Sequence, residues 1–176
     1  MRTNVGSDDF KAIDLFAGPG GLSLGLTSAG FQVIAAVELD PDAGKTYRHN
    51  IGNHTEIEDI TKFKPKILHN KLIDSGVLKK GELISLIAGG PPCPGFSLIG
   101  RSKISDLIKN KKGSYKKNKE WRHRFIDDPR NHLFLEFVKY VKQFQPDYFI
   151  MENVSGMTSY QIDEDPVVEV IKKKFT

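Results

Sequence analysis

The chain has 176 residues, 39% hydrophobic and 27% charged, which fits one soluble domain and argues against a disordered chain. Its single cysteine, Cys93, excludes an internal disulfide, and no apolar run approaches the ~20 residues that span a bilayer. Met1 to Asp9 is polar and lacks the apolar core of a signal peptide, so a reducing, cytoplasmic setting is expected, away from membranes.

The net charge of +4 is unevenly placed. Arg101 to Arg124 carries ten Lys/Arg against two Asp/Glu, a local +8 that leaves −4 for the rest. A charge run of this kind is a solvated loop about as often as a nucleic-acid contact, so its place in the chain has to decide.

Ala12 to Phe16 reads as a buried strand running into the glycine turn Ala17-Gly18-Pro19-Gly20-Gly21. Leu22 to Ala29 has helical spacing and Gly30 is placed to end it. Gln32 to Val37 is a second buried strand, ending at Glu38-Leu39-Asp40. Pro41 to His49 reads as a helix with proline in its first turn. A weaker strand, Thr55 to Ile57, ends at Glu58-Asp59-Ile60, and a helix is expected from Pro65 to Leu78. Leu83 to Ala88 is a fourth strand, closed by Gly89-Gly90-Pro91-Pro92-Cys93-Pro94-Gly95. Beyond the basic segment, Asn131 to Phe144 has helical spacing, Tyr148 to Met151 is a fifth strand ending at Glu152-Asn153-Val154, and Pro166 to Phe175 is a last helix.

Strands alternating with helices predict a doubly wound parallel α/β sheet, whose ligands bind beyond the carboxyl ends of the strands. Asp14 to Gly21, Glu38, Asp59, Pro92-Cys93 and Glu152 all fall at such ends, which predicts one composite site. Gly18-Pro19-Gly20 alone is a weak signal, because tight turns need glycine for steric reasons, and Ser23 stands where a dinucleotide fingerprint has its third glycine. Glu38 follows Gly18 at the interval where an acidic side chain receives ribose hydroxyls. The loop has no Gly-Lys-Ser/Thr and no nearby cation, which suits a nucleoside ligand without a pyrophosphate. S-adenosylmethionine is one such ligand, and this loop alone leaves NAD open.

A lone cysteine is most often a small buried hydrophobe. The flanking glycines and prolines instead put Cys93 on a constrained loop at the ligand-binding edge, where it is a candidate nucleophile. Glu152 is either the polar residue at which a strand surfaces or a carboxyl placed to address the same small planar substrate. No metal site is expected.

Asp14-Leu-Phe-Ala-Gly-Pro-Gly-Gly21, Gly90-Pro-Pro-Cys93 with Gly95-Phe-Ser97, Asp128-Pro-Arg-Asn131 with Leu133-Phe134, and Glu152-Asn-Val154 resemble, in order, the motifs of DNA cytosine-5 methyltransferases. The resemblance covers nearly the whole chain. It implies the Rossmann-like fold of S-adenosylmethionine-dependent methyltransferases, a double-stranded DNA substrate and a bacterial-type restriction-modification setting. It assigns Cys93 the attack on cytosine C6 and Glu152 the N3 and N4 edge of the base, a task that suits a buried carboxyl. It makes Phe16, Ala17, Gly18, Gly20, Gly21, Leu22, Glu38, Leu39, Asp59, Ile60 and Pro92 contacts to S-adenosyl-L-methionine. Within these, Phe16 and Pro92 face the adenine or methionine tail, Glu38 the ribose and Asp59 the adenine amino group. Ser97, Arg101, Lys111, Lys112, Lys116 and Lys117 become DNA contacts.

Three departures stand out. Pro94 replaces the glutamine common in the family, and the stretch between Ser97 and Asp128 is longer and more basic than the usual catalytic loop. After Val154 the family continues with an Arg-x-Arg motif, further strands, a target-recognition domain and a closing helix. The sheet is therefore expected to be incomplete at its carboxyl-terminal side, and the chain is expected to be either one subunit of a split enzyme, with a second polypeptide supplying the rest, or a truncated product. A non-catalytic cofactor- or DNA-binding chain and an RNA cytosine methyltransferase remain alternatives on the sequence.

Overall fold

The structure, a computed structural model, describes residues 10–92, 129–153, 161–162 and 165–175. Contacts divide the chain into two compact units, Met1–Gly90 with Lys139–Glu152, and Pro91–Val138 with Asn153–Thr176.

The first unit is built on five strands, β1 (Lys11–Leu15), β2 (Gln32–Glu38), β3 (Thr55–Ile57), β4 (Leu86–Gly89) and β5 (Tyr148–Met151). Their order is β3-β2-β1-β4-β5 and every pair is parallel. Parallel neighbours need crossovers, and three helices supply the first three, α1 (Gly21–Ser28), α2 (Pro41–Asn50) and α3 (Pro65–Asp74). The chain winds outward from β1 to β3 and then returns to the other side of β1, so the direction of winding reverses between β1 and β4. A crevice at that reversal is where open α/β sheets take ligands.

The three middle strands are near-continuous apolar runs because both faces are covered. Ala12, Ile13, Leu15, Val33 to Val37 and Leu86 to Ala88 are all buried. Leu26 of α1 joins Ala12, Val33, Leu86 and Ala88, with Leu22 and Phe31 packed on that cluster. Gly89 lets β4 approach β1, since a Cβ there would collide with the Leu15 carbonyl oxygen. Helix α2 starts where the sequence places it: Asp40 accepts from the Asp42 and Ala43 amides at 2.8 and 3.1 Å, and Pro41 occupies the first turn.

Three predicted boundaries shift. The helix expected to reach Leu78 ends at Asp74, because Gly76 adopts a left-handed φ of 72°. Leu78 then folds back, its amide donating to the Leu72 carbonyl at 3.0 Å, and is buried without being helical. The fourth strand begins at Leu86 rather than Leu83, whose side chain is exposed. The helix expected from Asn131 divides into a 3₁₀ turn, Pro129–His132, and helix α4 (Phe134–Phe144).

Helix α4 contributes its last six residues to the first unit and its start to the second. In the second unit Phe137 meets Phe175 edge to face, with ring centroids 6.5 Å apart. Phe175 ends helix α5 (Val167–Phe175), which follows a two-stranded antiparallel pair, β6 (Gln161–Ile162) and β7 (Asp165–Pro166), absent from the sequence reading. Two-residue strands carry no period to detect. Among the described residues no helix is long and apolar enough to cross a membrane.

Candidate functional site

All five strands of the first unit present their carboxyl ends along one edge, as their parallel registers require. The segment after β1 turns sharply there. Phe16 holds a left-handed φ of 61°, costly for a residue with a side chain, and Gly18 and Gly20 continue the turn at 55° and 102°. Gly20 is obligatory on a second count, since a Cβ there would lie 2.7 Å from Ile51 Cγ1 and 2.9 Å from Tyr47 Cδ2. Among the described residues nothing lies within 4 Å of a Cβ built at Gly18 or Gly21, so that face of the turn is open to them.

Glu38, at the end of β2, fixes the turn. One carboxylate oxygen accepts the Gly18 amide at 2.7 Å and the other accepts the Asp40 amide at 2.8 Å. Each oxygen keeps a further lone pair, so the group can still receive a pair of ligand hydroxyls. The neighbouring Leu39 leaves 66% of its surface exposed, an apolar side chain beside a polar anchor. Ala17 is buried and its amide donates to the Val37 carbonyl at 3.1 Å. Leu22 faces the core cluster, and Ile60 is also buried.

Beyond β3, one Asp59 oxygen accepts the Thr61 amide and hydroxyl at 3.0 and 2.7 Å, and the other lies 3.3 Å from Lys62 Nζ. These bonds, led by the Thr61 hydroxyl, hold its carboxyl below the usual range and keep it an acceptor. The turn is braced from α4, where the buried Tyr140 donates to the Phe63 carbonyl at 2.6 Å.

Glu152 follows β5, its amide bonded to the Gly89 carbonyl at 2.9 Å. Its carboxylate occupies the space a Gly90 side chain would fill, with Oε2 2.7 Å from the Cβ position. It is exposed, not buried as its inferred task suits, because β5 is the last strand of the sheet. Pro92 is exposed and belongs to the second unit. Cys93, Ser97, Arg101, Lys111, Lys112, Lys116 and Lys117 lie outside the described residues.

The sequence reading missed a buried polar chain beneath the glycine turn. Ser23 Oγ donates to Asp14 Oδ2 at 2.7 Å, Tyr47 Oη donates to Ser23 Oγ at 2.8 Å, and His54 Nε2 lies 2.9 Å from Tyr47 Oη. Asp14, Ser23 and Tyr47 are fully buried. Burial pushes Asp14 up to about 6 and Tyr47 up to about 12, and it lowers His54. The available signal was Gly44 and Tyr47 three apart on the buried face of α2. Neither belongs to a recognisable motif.

These residues could hold an adenosyl ligand that carries no phosphate. The turn is open at two glycines, an anchored carboxylate faces it, an exposed leucine adjoins it, and an acceptor stands at the next strand end. Known proteins share the sequence and fold of this chain. The model of the C-5 cytosine-specific DNA methylase family matches residues 10–176. The type II methyltransferase M1.HphI of Haemophilus parahaemolyticus is 39% identical over 162 residues, covering 86% of this chain and 36% of that protein. M.DdeI of Desulfomicrobium norvegicum is 38% identical over 166 residues, covering 93% and 32%. An Escherichia coli crystal structure described as a DNA modification methyltransferase encoded within a prophage superposes with a TM-score of 0.65 at 31% identity, covering 94% of this chain and 37% of that one. The chain spans about a third of the length of these relatives.

Proposed function

Because the chain belongs to the C-5 cytosine-specific DNA methylase family, we propose that it supplies the donor pocket and the nucleophile for methyl transfer from S-adenosyl-L-methionine to C5 of cytosine in double-stranded DNA. The setting is a cytoplasmic restriction-modification system, as the type II relatives suggest. The observation that carries the donor half is Glu38, bonded to the amide of Gly18 in an open glycine turn that has no phosphate-binding cation. Phe16, Leu39, Asp59, Ile60 and Pro92 complete the contacts, with Glu38 on the ribose and Asp59 on the adenine amino group.

The acceptor half rests on Cys93 and Glu152. Cytosine C5 is a poor nucleophile until a thiolate adds at C6 and makes it part of an enamine. A free thiol near pKa ~8.5 is only a few per cent ionised at neutral pH, so the pocket has to favour the thiolate. The Cys93 sulfur bonds to C6 while Glu152 holds the N3 and N4 edge, and C5 takes the methyl group. Loss of the C5 proton then expels the thiolate and restores the ring. The base has to leave the helix to reach the pocket. Lys111, Lys112, Lys116, Lys117 and Arg101, with Ser97, hold phosphates, which give affinity without sequence information.

Transfer requires the part of the family's length that this chain does not span, including target recognition. The apolar β5 edge supports this, since Tyr148, Phe149 and Ile150 are 75%, 43% and 51% exposed. With that part present, DNA carrying 5-fluorocytosine should become covalently attached, because fluorine cannot leave C5 as a proton does. If Cys93→Ser still traps the DNA, the assigned nucleophile is wrong. Replacing the four lysines with alanine should flatten the salt dependence of DNA affinity, by roughly 0.9 in the log–log slope for each phosphate no longer neutralised.

A further inference from the structure

Tyr140 carries a hydroxyl into a setting where an apolar ring would pack as well. It shares α4 with the buried Phe137, Val138 and Phe144, and none of its own surface is exposed. Its ring lies at 15° to that of Phe144, with centroids 6.3 Å apart, and Phe144 meets His69 of α3 edge to face at 5.3 Å. The ring is thus held in one orientation. Its hydroxyl donates to the Phe63 carbonyl at 2.6 Å, a bond between residues 77 apart in sequence.

That carbonyl closes the Asp59 turn. The Lys62 and Phe63 amides both donate to the Asp59 carbonyl at 2.8 Å, while the Thr61 amide and hydroxyl hold the Asp59 carboxylate. Asp59 to Phe63 is therefore a compact unit that moves as a whole. Its own side chains anchor it sparsely. Ile60 is buried, but Asp59 is partly exposed and Thr61 and Lys62 are exposed. Lys64, at the start of α3, adds no side-chain cap. A carboxylate on such a unit can tell an amino group from a carbonyl oxygen only if the unit is fixed, because hydrogen bonds tolerate little misplacement. Ile60 fixes the middle of the unit, and Tyr140 fixes its end.

We propose that Tyr140 is the positioning residue that sets the pocket's preference for adenine over hypoxanthine, by holding through Phe63 the turn on which Asp59 meets the base. The proposal rests on the donor reading. Where adenine carries an amino group, hypoxanthine carries a carbonyl oxygen. An ionised Asp59 accepts from the first and repels the second. Without the Tyr140 hydroxyl the turn can retreat from either base. The adenosyl ligand then loses its bond, the inosyl ligand escapes the repulsion, and selectivity falls while the shape of the pocket is kept.

Calorimetry with the chain, S-adenosylhomocysteine and S-inosylhomocysteine tests this. The wild type should prefer the adenosyl compound about a hundredfold. Tyr140→Phe should cut that preference about tenfold, chiefly by weakening the adenosyl compound, whereas a merely structural loss would weaken both alike. Asp59→Asn should remove or reverse the preference, and adding Tyr140→Phe to it should change the ratio no further. Phe144→Leu keeps the hydroxyl but frees its ring, so it should lower the ratio by a smaller factor. If Tyr140→Phe preserves the ratio, or lowers it equally in the Asp59→Asn background, the inference is overturned while the donor reading stands. A wild type that binds both compounds equally overturns it too, as does an unchanged ratio in Phe144→Leu should Tyr140→Phe fail to fold. If neither compound binds the wild type, the donor reading falls and takes this inference with it.

Discussion

The two edges of the sheet are finished in different ways. At β3 the strand is three residues long, Thr55 is buried, Glu56 pairs with Lys71 of α3 at 2.6 Å, and Ile57 fills the space over Gly44 of α2. Short length, charge and a covering helix are the usual means of closing an edge. β5 is also short, at four residues, but three consecutive apolar side chains on it are exposed. One edge is completed by its own neighbouring helices, and the other has the composition of an interior strand. The difference teaches that β3 ends the sheet, whereas β5 is fitted to receive more of it.

The largest expected effect lies between the edges, at the central strand. Asp14 is raised from 3.8 to about 6 in the fold, so its contribution is present below pH 4 and lost as pH rises through 6, about 3 kcal/mol across that window. His54, lowered by burial, acts in the opposite sense, and stability falls as pH drops below its ordinary 6.5. Subtracting the urea-unfolding pH profile of Asp14→Asn from that of the wild type should isolate the first slope. A flat difference would show that Asp14 is not ionised by burial-limited titration.

At the closed edge, Gly44→Ala places a Cβ 2.6 Å from Ile57 Cγ1 and should cost about 2 kcal/mol in urea unfolding. An unchanged midpoint would mean that β3 shifts freely and is not closed. At the open edge, Ile150→Lys should leave stability within about 0.5 kcal/mol. It should also weaken self-association and complementation about tenfold by sedimentation, near 1.4 kcal/mol. A loss of stability without a change in association would invert the comparison. The smallest effect is expected for Lys71→Met, about 0.5 kcal/mol, because the ion pair is largely solvated. A loss of several kcal/mol would mean that this pair, rather than packing, closes the β3 edge.

Much of this was legible in the sequence because it depends on local order. The strand ends, the glycine turn and Glu38 follow from periodicity and from residue types at fixed intervals, whereas the open edge at Tyr148 to Met151 was expected only from the family resemblance. The buried chain was not legible. Asp14 and Ser23 are nine residues apart, Ser23 and Tyr47 are 24 apart, and only the stacking of α1 and α2 beside β1 brings them together. Leu78 was misplaced for a related reason, since a side chain that folds back beneath a helix has the same apolar signature as one within it. The exposure of Glu152 depends on what lies beyond β5, which motif spacing does not encode.

Gly90 and Glu152 share one volume, and this has a genetic consequence. A methyl group at position 90 would stand 2.7 Å from the Glu152 carboxylate, which can swing away, so the fold would survive while the acid moved. Gly90→Ala should therefore mimic Glu152→Ala in any assay of base handling. The double variant should be no worse than either single one, a fully epistatic pair. Drift at position 90 is thus open only to lineages that have already given up the carboxylate.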